Sequence, residues 1–469
     1  MAISGNDRST LDEETEPLGT FASFQAPGYP TLWWGGLFSF LSVQMQMLLR
    51  GLLAWDLTER PAALGLVYLA FGVSMLISTP LGGVASDLLP KKRTMLMSQG
   101  VISAVAAGMG IVVVAGIAQF WMLLVSAVFQ GAAFGFLGPA RIAIAREIVG
   151  RKYLGNAITL SLLSMNGTRV FAPSLAGVLA GVAALGIGGT YLISAVAAVA
   201  SWILLLRLPE SPPKTTATSD QNGYQPLPSG PDNAANGWRN PFAEILDGVR
   251  YVLANRPLRR LVISSFFVVM FGFNYVAFLP ALVEGEFGLS ETWVGLISSA
   301  SAIGAVASAG FLAGRADSGQ AKTLMIVSGA SFGISVVVFG LSPNFWAAFG
   351  VVIFVGAAFT IYQSLSNTIA LTIADDSHQG RVQSLMMLAF AGFGIAAAPL
   401  GRLAEYIGLR EAIVVMGAVA AGSSLLYFVL DRLDPQLPKR EPPSEGNARR
   451  SEGSDAGGRK ERSSPMTAK

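Results

Sequence analysis

The chain has 469 residues, of which 52% are hydrophobic and only 13% charged, and a net charge of +3. That charged share is about half that of a soluble domain, which excludes a wholly water-facing surface. The absence of cysteine excludes a disulfide framework, a thiolate metal site and a thiol nucleophile.

Residues 1–32 are polar, carry Asp7, Asp12, Glu13, Glu14 and Glu16 against Arg8, and predict a mobile tail without the basic head of a cleavable signal. Apolar runs then recur, each long enough as a helix to cross a hydrocarbon core of about 30 Å. Helices are the only open solution there, because lipid offers backbone groups no hydrogen-bond partner. A first bundle, 33–206, holds expected spans at 33–55, from Ala63 to the stretch at Gly83, and at 94–115, 120–140, 157–180 and 188–206. Composition breaks between Arg207 and Asn240, so 207–258 reads as a linker. Within it Phe242, Ile245, Leu246, Val249, Val252 and Leu253 recur at helical spacing and predict a surface helix over 242–253. A second bundle, 259–430, holds spans at 261–283, 293–313, 322–341, 345–369, 382–404 and 412–430, and the Pro-, Ser- and charge-rich 431–469 reads as disordered. The fold class is therefore an all-α integral membrane protein with 12 transmembrane helices in two six-helix bundles.

Two sets of residues relate the bundles. Gly83-Val84-Ala85-Ser86-Asp87-Leu88-Leu89-Pro90-Lys91-Lys92-Arg93 closes the second span, and a related Gly310 to Gly319 stretch, with Arg315, lies 227 residues on. Pro173 and Pro399, each after an alanine, are 226 residues apart. Cation placement sets the orientation. With both termini cytoplasmic, 27 of the 32 Lys and Arg lie inside, Arg60, Arg402 and Arg410 outside, and Arg50 and Arg169 within spans.

The Gly83 to Arg93 stretch resembles the signature between the second and third helices of the major facilitator superfamily, through Gly83, Asp87, Lys91 and Lys92. Leu88, Pro90 and, in the second half, Gly314 depart from its usual residues, while Arg315 fits. Further stretches resemble the enterobactin and macrolide exporter branch of drug:proton antiporters. These are Pro139-Ala140-Arg141 through Asn156-Ala157, Asn166-Gly167-Thr168-Arg169 with Pro173 and Gly177, Gly248-Val249-Arg250-Tyr251 through Arg256-Pro257, and Gly380-Arg381-Val382. The resemblance implies a multi-pass protein of the inner cell membrane, a secondary active efflux pump for a drug-like or siderophore-like solute, exchanging it for protons by alternating access. It also implies that spans 1, 4, 7 and 10 surround the solute, and that the Asp87–Lys91 region latches the halves.

Polar residues on those spans are the candidate cavity lining, because a charge at bilayer centre costs about 2.5–3.5 kcal/mol and needs an offset. Gln46 and Arg50 are four apart on one helix face; span 4 offers Gln130 and Phe134. Phe267, Phe271, Asn274 and Phe278 form an aromatic stripe beside Tyr275, and span 10 offers Tyr362, Gln363 and Asn367. An aromatic wall with a few amides suits a large, partly apolar solute, although such amides serve equally as packing contacts between helices. Arg169 reads as a packing residue; Arg50 reads as solute or partner contact. No Asp or Glu falls mid-span, so Asp56, just after span 1, is the candidate proton carrier, and a positive cavity favours an anionic solute such as a catechol siderophore. His378 reads as a solvated loop residue.

The expected partners are thus a small-molecule substrate, the lipid bilayer and protons, with no nucleic acid, no metal, no cofactor and a monomeric state. No phosphate-binding loop is present to suggest ATP drive, and no enzyme activity is indicated. Two alternatives stand: an importer or facilitator of a small solute, and a non-transporting sensor or assembly factor on the same scaffold.

Overall fold

Runs of Leu, Val, Ala and Gly unbroken by charge can satisfy their own backbone only as helices, and helix is what they form. The computed structural model describes residues 21–208, 241–312, 320–375 and 378–433. Every regular element among them is helical. Residues 1–20 and 434–469 of the expected tails, most of the linker and Arg315 lie outside the described residues, as do the side chains of Asp87 and Asn166.

The first half comprises α1 (Tyr29–Thr58), α2 (Pro61–Leu88), α3 (Lys91–Val114), α4 (Phe120–Ala180) and α5 (Gly186–Leu206). The second comprises α7 (Arg256–Phe267), α8 (Glu291–Leu312), α9 (Ala321–Gly340), α10 (Phe345–Ile373), α11 (Gln379–Ile407) and α12 (Leu409–Leu433). Before α7 runs α6 (Pro241–Ala254), which coincides with the expected surface helix. Among the described residues nine helical stretches are long and apolar enough to cross a membrane. The three other expected spans fall on the second part of α4, on α8 and on α11.

Three local departures from the expected elements have physical causes. Helix α1 starts at Tyr29, ahead of the expected Trp33, because residues 21–28 are already anchored. There the Ser23 backbone N–H and hydroxyl donate to Asn156 Oδ1, at 3.0 and 2.7 Å, and Phe24 packs edge-on to Tyr29 and Trp33. The fourth and fifth spans are one helical run broken only at Gly150, whose φ of 66° is left-handed and suits a residue without Cβ. The seventh span is a regular helix only as far as Phe267. It continues as a π turn (Val268–Gly272), a 3-10 stretch (Phe273–Phe278) and a second π turn (Ala281–Glu286).

One end of the molecule gathers the start of α1, the Gly150 break, the end of α5, the starts of α7 and α9 and the end of α12. There Lys92 Nζ donates to the Leu208 carbonyl, Arg260 to the Leu430 carbonyl at 2.8 Å, and Lys322 pairs with Asp431. We refer to this as the terminal end and to the opposite one as the far end. The halves meet where α2 packs on α11 and the second part of α4 packs on α8. The tightest of these approaches lie from mid-depth to the far end. A Cβ at Gly177 would collide with the backbone of Gly295, one at Gly65 with the Ala397 carbonyl, and one at Gly394 with the Tyr68 carbonyl. At the far rim Arg60 pairs with Glu405, Nε to Oε1 at 2.9 Å. The far end is therefore shut by backbone-close packing. Large apolar side chains such as Val196, Phe354 and Trp121 are more than half exposed around the outside, as a lipid-facing surface requires.

Candidate functional site

Arg50 lies on α1, 3% exposed, with Gln46 one turn earlier on the same face and fully buried. Its Nε donates to the Gln46 carbonyl at 3.2 Å, and its Nη2 donates to Gln130 Oε1 from α4. The guanidinium stands 5.3 Å from the Phe71 ring of α2. Among the described residues no carboxylate pairs with Arg50, whereas Arg60, Lys91, Lys322 and Arg410 each meet one. Gln46 Oε1, Gln130 Nε2 and Tyr191 Oη, all buried, have no hydrogen-bond partner. The sequence-predicted trio Gln46, Arg50 and Gln130 thus does converge, and its unused polar atoms surround an uncompensated cation.

Phe134, the fourth candidate of the first half, sits between Phe40 and Phe71, with ring centroids 6.3 and 6.4 Å away. The second-half stripe divides, because the helix type changes within it. Phe267 and Phe271 stack at 5.8 Å, but Phe267 is 41% exposed while Asn274 and Phe278 are fully buried. Asn274 Nδ2 donates to the Phe393 carbonyl at 3.0 Å and so ties this segment to α11. Tyr275 Oη lies 3.4 Å from Ser301 Oγ. Tyr362 Oη donates to Ser265 Oγ at 3.2 Å, and Ser265 and Ser366 hydroxyls are 2.6 Å apart. Asn367 Oδ1 is buried without a partner, and Gln363 is half-buried beside it on α10.

Of the signature residues, Gly83 lies in the last two turns of α2, where a Cβ would meet nothing within 4 Å. Lys91 pairs with Glu147 in its own half, and Lys92 bonds the end of α5. Pro173 is an interior proline of α4, as its repeat partner Pro399 is of α11. Arg169 is half-buried on α4 four residues before Pro173.

Asp56, the candidate proton carrier, is exposed at the end of α1. A second carboxylate stands near it. Glu284, beyond the apolar stretch Arg256–Phe278, is partly buried on the second π turn, and its Oε1 is buried without a partner. Burial, and then the charges of Glu291 and Asp56, push its pKa up to about 8. Sequence reasoning passed over Glu284 because it falls one residue past the expected span. It also passed over Phe40, Tyr68, Phe71 and Tyr191, whose roles come from tertiary packing. Arg141 was counted with the cytoplasmic cations, yet it is 7% exposed inside α4.

The comparisons with known proteins agree with this architecture. The profile described as Major Facilitator Superfamily matches residues 32–399 and 261–466. The chain is 24% identical over 389 residues to a protein named Enterobactin exporter EntS from Shigella flexneri, covering 82% of this chain and 84% of the relative. It is 23% identical over 391 residues to Uncharacterized MFS-type transporter YfiS from Bacillus subtilis, covering 81% and 87%. Among solved structures, an inward-facing, occupied bacterial homologue of the human lysosomal transporter Spinster superposes with a TM-score of 0.67 at 14% identity, over 88% of this chain and 98% of that one. The nucleoside transporter NupG superposes with a TM-score of 0.64, over 86% and 99%. Family membership points to transport of a small molecule across a membrane and away from enzyme chemistry, and the apolar helices make the protein multi-pass. On its profile match over most of its length, on its fold and on its two-half architecture, this chain belongs to the Major Facilitator Superfamily.

Proposed function

We propose that this chain exports an anionic, aromatic, siderophore-like solute from the cytoplasm by alternating access, in exchange for protons. The observation that carries the reading is Arg50, a guanidinium buried against Phe71 and Gln130 with no carboxylate among the described residues to neutralise it. A buried cation left unpaired costs several kcal/mol, and a transported anion would offset that cost each time it binds. The relatives named as enterobactin exporters, matched over about four-fifths of the chain, support the same solute class.

In this reading the chain crosses the inner membrane twelve times as a monomer, with 33–206 and 259–430 as its two bundles and both termini cytoplasmic. The far end then faces outward, and the packed seam at Gly177 and Gly295 is the closed outer gate of an inward-open transporter. Release of the Asp87–Lys91 latch belongs to this state, and the Lys91 pairing with Glu147 inside its own half supports it. Protons enter through the outer acidic group of Asp56 and Glu284.

The test is solute flux into inside-out proteoliposomes with and without an imposed pH gradient, using enterobactin as the probe. Gradient-driven accumulation by the wild type and its loss in Arg50→Ala are the expected results. Gradient-independent equilibration would identify a facilitator, and no flux at all would leave a non-transporting protein.

A further inference from the structure

Among the described residues, Arg50 is joined by a second guanidinium of the first half that is buried without a carboxylate, and a row of aromatic rings links the two. Arg141 on α4 is 7% exposed, its Nε and Nη2 have no hydrogen-bond partner, and its charge lies 4.5 Å from the Phe40 ring centroid. Phe40 is 6.3 Å from Phe134, Phe134 is 6.4 Å from Phe71, and Arg50 stands 5.3 Å from Phe71. The three rings are half-buried, so each keeps an open face, while both cations are withdrawn from water. Gln130, which accepts from Arg50, and Arg141 are eleven residues apart on α4. That is about three helical turns and about 16 Å along one face.

The unsatisfied atoms have a direction. Arg141 Nε, Arg141 Nη2 and Gln130 Nε2 are N–H donors with nothing to donate to, whereas Gln46 Oε1 is the single obligate acceptor left over at this wall. A ligand that satisfies them brings oxygen acceptors, and one that offsets two buried charges brings negative charge at two points. Ring faces between the cations stack on a flat aromatic framework and gain from the adjacent guanidiniums. We propose that α1, α2 and α4 of the first half form an elongated binding track for an aromatic dianion, with one anionic group at Arg50–Gln130, the other at Arg141, and the rings against Phe71, Phe134 and Phe40. The track rests on the reading of the chain as a transporter of anionic aromatic solutes and specifies where such a solute lies: on one half, from mid-depth toward the terminal end.

The experiment is calorimetric titration of the full chain in lipid nanodiscs. The probes are trans-stilbene-4,4′-disulfonate, its 4-monosulfonate and uncharged stilbene. The wild type is expected to prefer the disulfonate over the monosulfonate by about tenfold, the worth of one additional charge-assisted contact. Arg141→Gln is expected to erase that preference and Arg141→Lys to keep part of it. Phe40→Leu should weaken both anions alike. No preference in the wild type, or a preference unchanged in Arg141→Gln, overturns the track. Should Arg141→Gln fail to fold, as judged by thermal unfolding, Arg141→Lys and Phe40→Leu decide the matter in the same way. Enterobactin flux is read separately. Absent flux with the disulfonate preference intact removes the proposed solute and leaves the track. Intact flux with an unchanged preference in Arg141→Gln removes the track and leaves the solute.

Discussion

The first helix of each half occupies the corresponding place in the fold, yet the two are built differently. Helix α1 runs 30 residues without a break and carries Arg50, whereas its counterpart is regular for 12 residues and then passes through π, 3-10 and π geometry. The polar groups differ in the same sense. Around α1 they include a buried charge and unused donors; around α7 they are neutral, largely bonded to one another through Tyr362, Ser265, Ser366 and the bond from Asn274 to Phe393, and the atoms left over at Asn274 and Asn367 are the acceptors Oδ1. Irregular helical turns lose well-aligned ladder bonds and bend at low cost. The comparison teaches that corresponding helices can divide structural features: the first half carries its buried charge on an unbroken helix, and the second half carries neutral groups on one interrupted by irregular turns.

The sharpest way to break that division is to remove charge from one side and a hydrogen bond from the other. Arg50→Ala is expected to lower proteoliposome flux by about a hundredfold, since hydrogen bonds to charged groups are worth about 1.5–3 kcal/mol, while leaving the folded fraction largely intact. Asn274→Ala should do the reverse. It removes the bond from Asn274 Nδ2 to the Phe393 carbonyl and is expected to cost about 0.5–1.5 kcal/mol of stability, with solute selectivity unchanged. If Asn274→Ala altered selectivity more than Arg50→Ala, the assignment of charge recognition to the first half would be wrong.

A second pair of predictions bears on the seam between the halves. Because Gly177 and Gly295 meet backbone to backbone, Gly295→Val cannot fit the closed far end and should shift the protein toward far-end opening by about 1–3 kcal/mol. With no native cysteine, spin labels at Leu57→Cys and Arg402→Cys report that opening directly as a lengthened distance. Titration of Glu284 acts on the same seam. Its pKa in the closed form is raised to about 8 from an ordinary 4.5, so the closed form holds the proton more tightly than the open one. Closure is therefore fully favoured below the ordinary value and loses that advantage as pH rises toward about 8. The label distance should lengthen as pH rises between about 4.5 and about 8, and Glu284→Gln should flatten that response. An unchanged response in Glu284→Gln together with a lost one in Asp56→Asn would return the proton to Asp56.

Much of this was legible in the sequence, for reasons that also mark where legibility ends. Gln46 and Arg50 share a face by their spacing alone, and α1 keeps that spacing because nothing interrupts it. The repeat of Pro173 and Pro399 placed both in corresponding helices, where both are found. The stripe from Phe267 to Phe278 was projected with the same period but does not survive, since π and 3-10 turns rotate successive side chains by other angles; only Gly272 and Pro280 hinted at it. Arg141 was counted with the cytoplasmic cations because the expected span ended at residue 140, yet α4 runs on through Pro139, since a membrane helix tolerates an interior proline when neighbouring helices satisfy the freed groups. Tyr68, Phe71 and Tyr191 come from α2 and α5, and no single-helix periodicity shows which neighbour a side chain will meet.

The smallest expected effect belongs to the most visible contact across the seam. Arg60 grips Glu405 with two hydrogen bonds, Nε to Oε1 at 2.9 Å and Nη2 to Oε2 at 3.2 Å, and among the described residues it is the only ion pair joining the halves. The Arg60 side chain is 67% exposed and that of Glu405 24%, so water and salt screen the pair on both sides. Exposed pairs of this kind shift equilibria by no more than a few-fold. Backbone contact between α4 and α8, by contrast, is buried and unscreened. Arg60→Gln should therefore lengthen the label distance far less than Gly295→Val, and its small effect should vanish at high salt while that of Gly295→Val persists. Equal opening by the two variants would mean that charge at the rim, and not close packing along the helices, holds the far end shut.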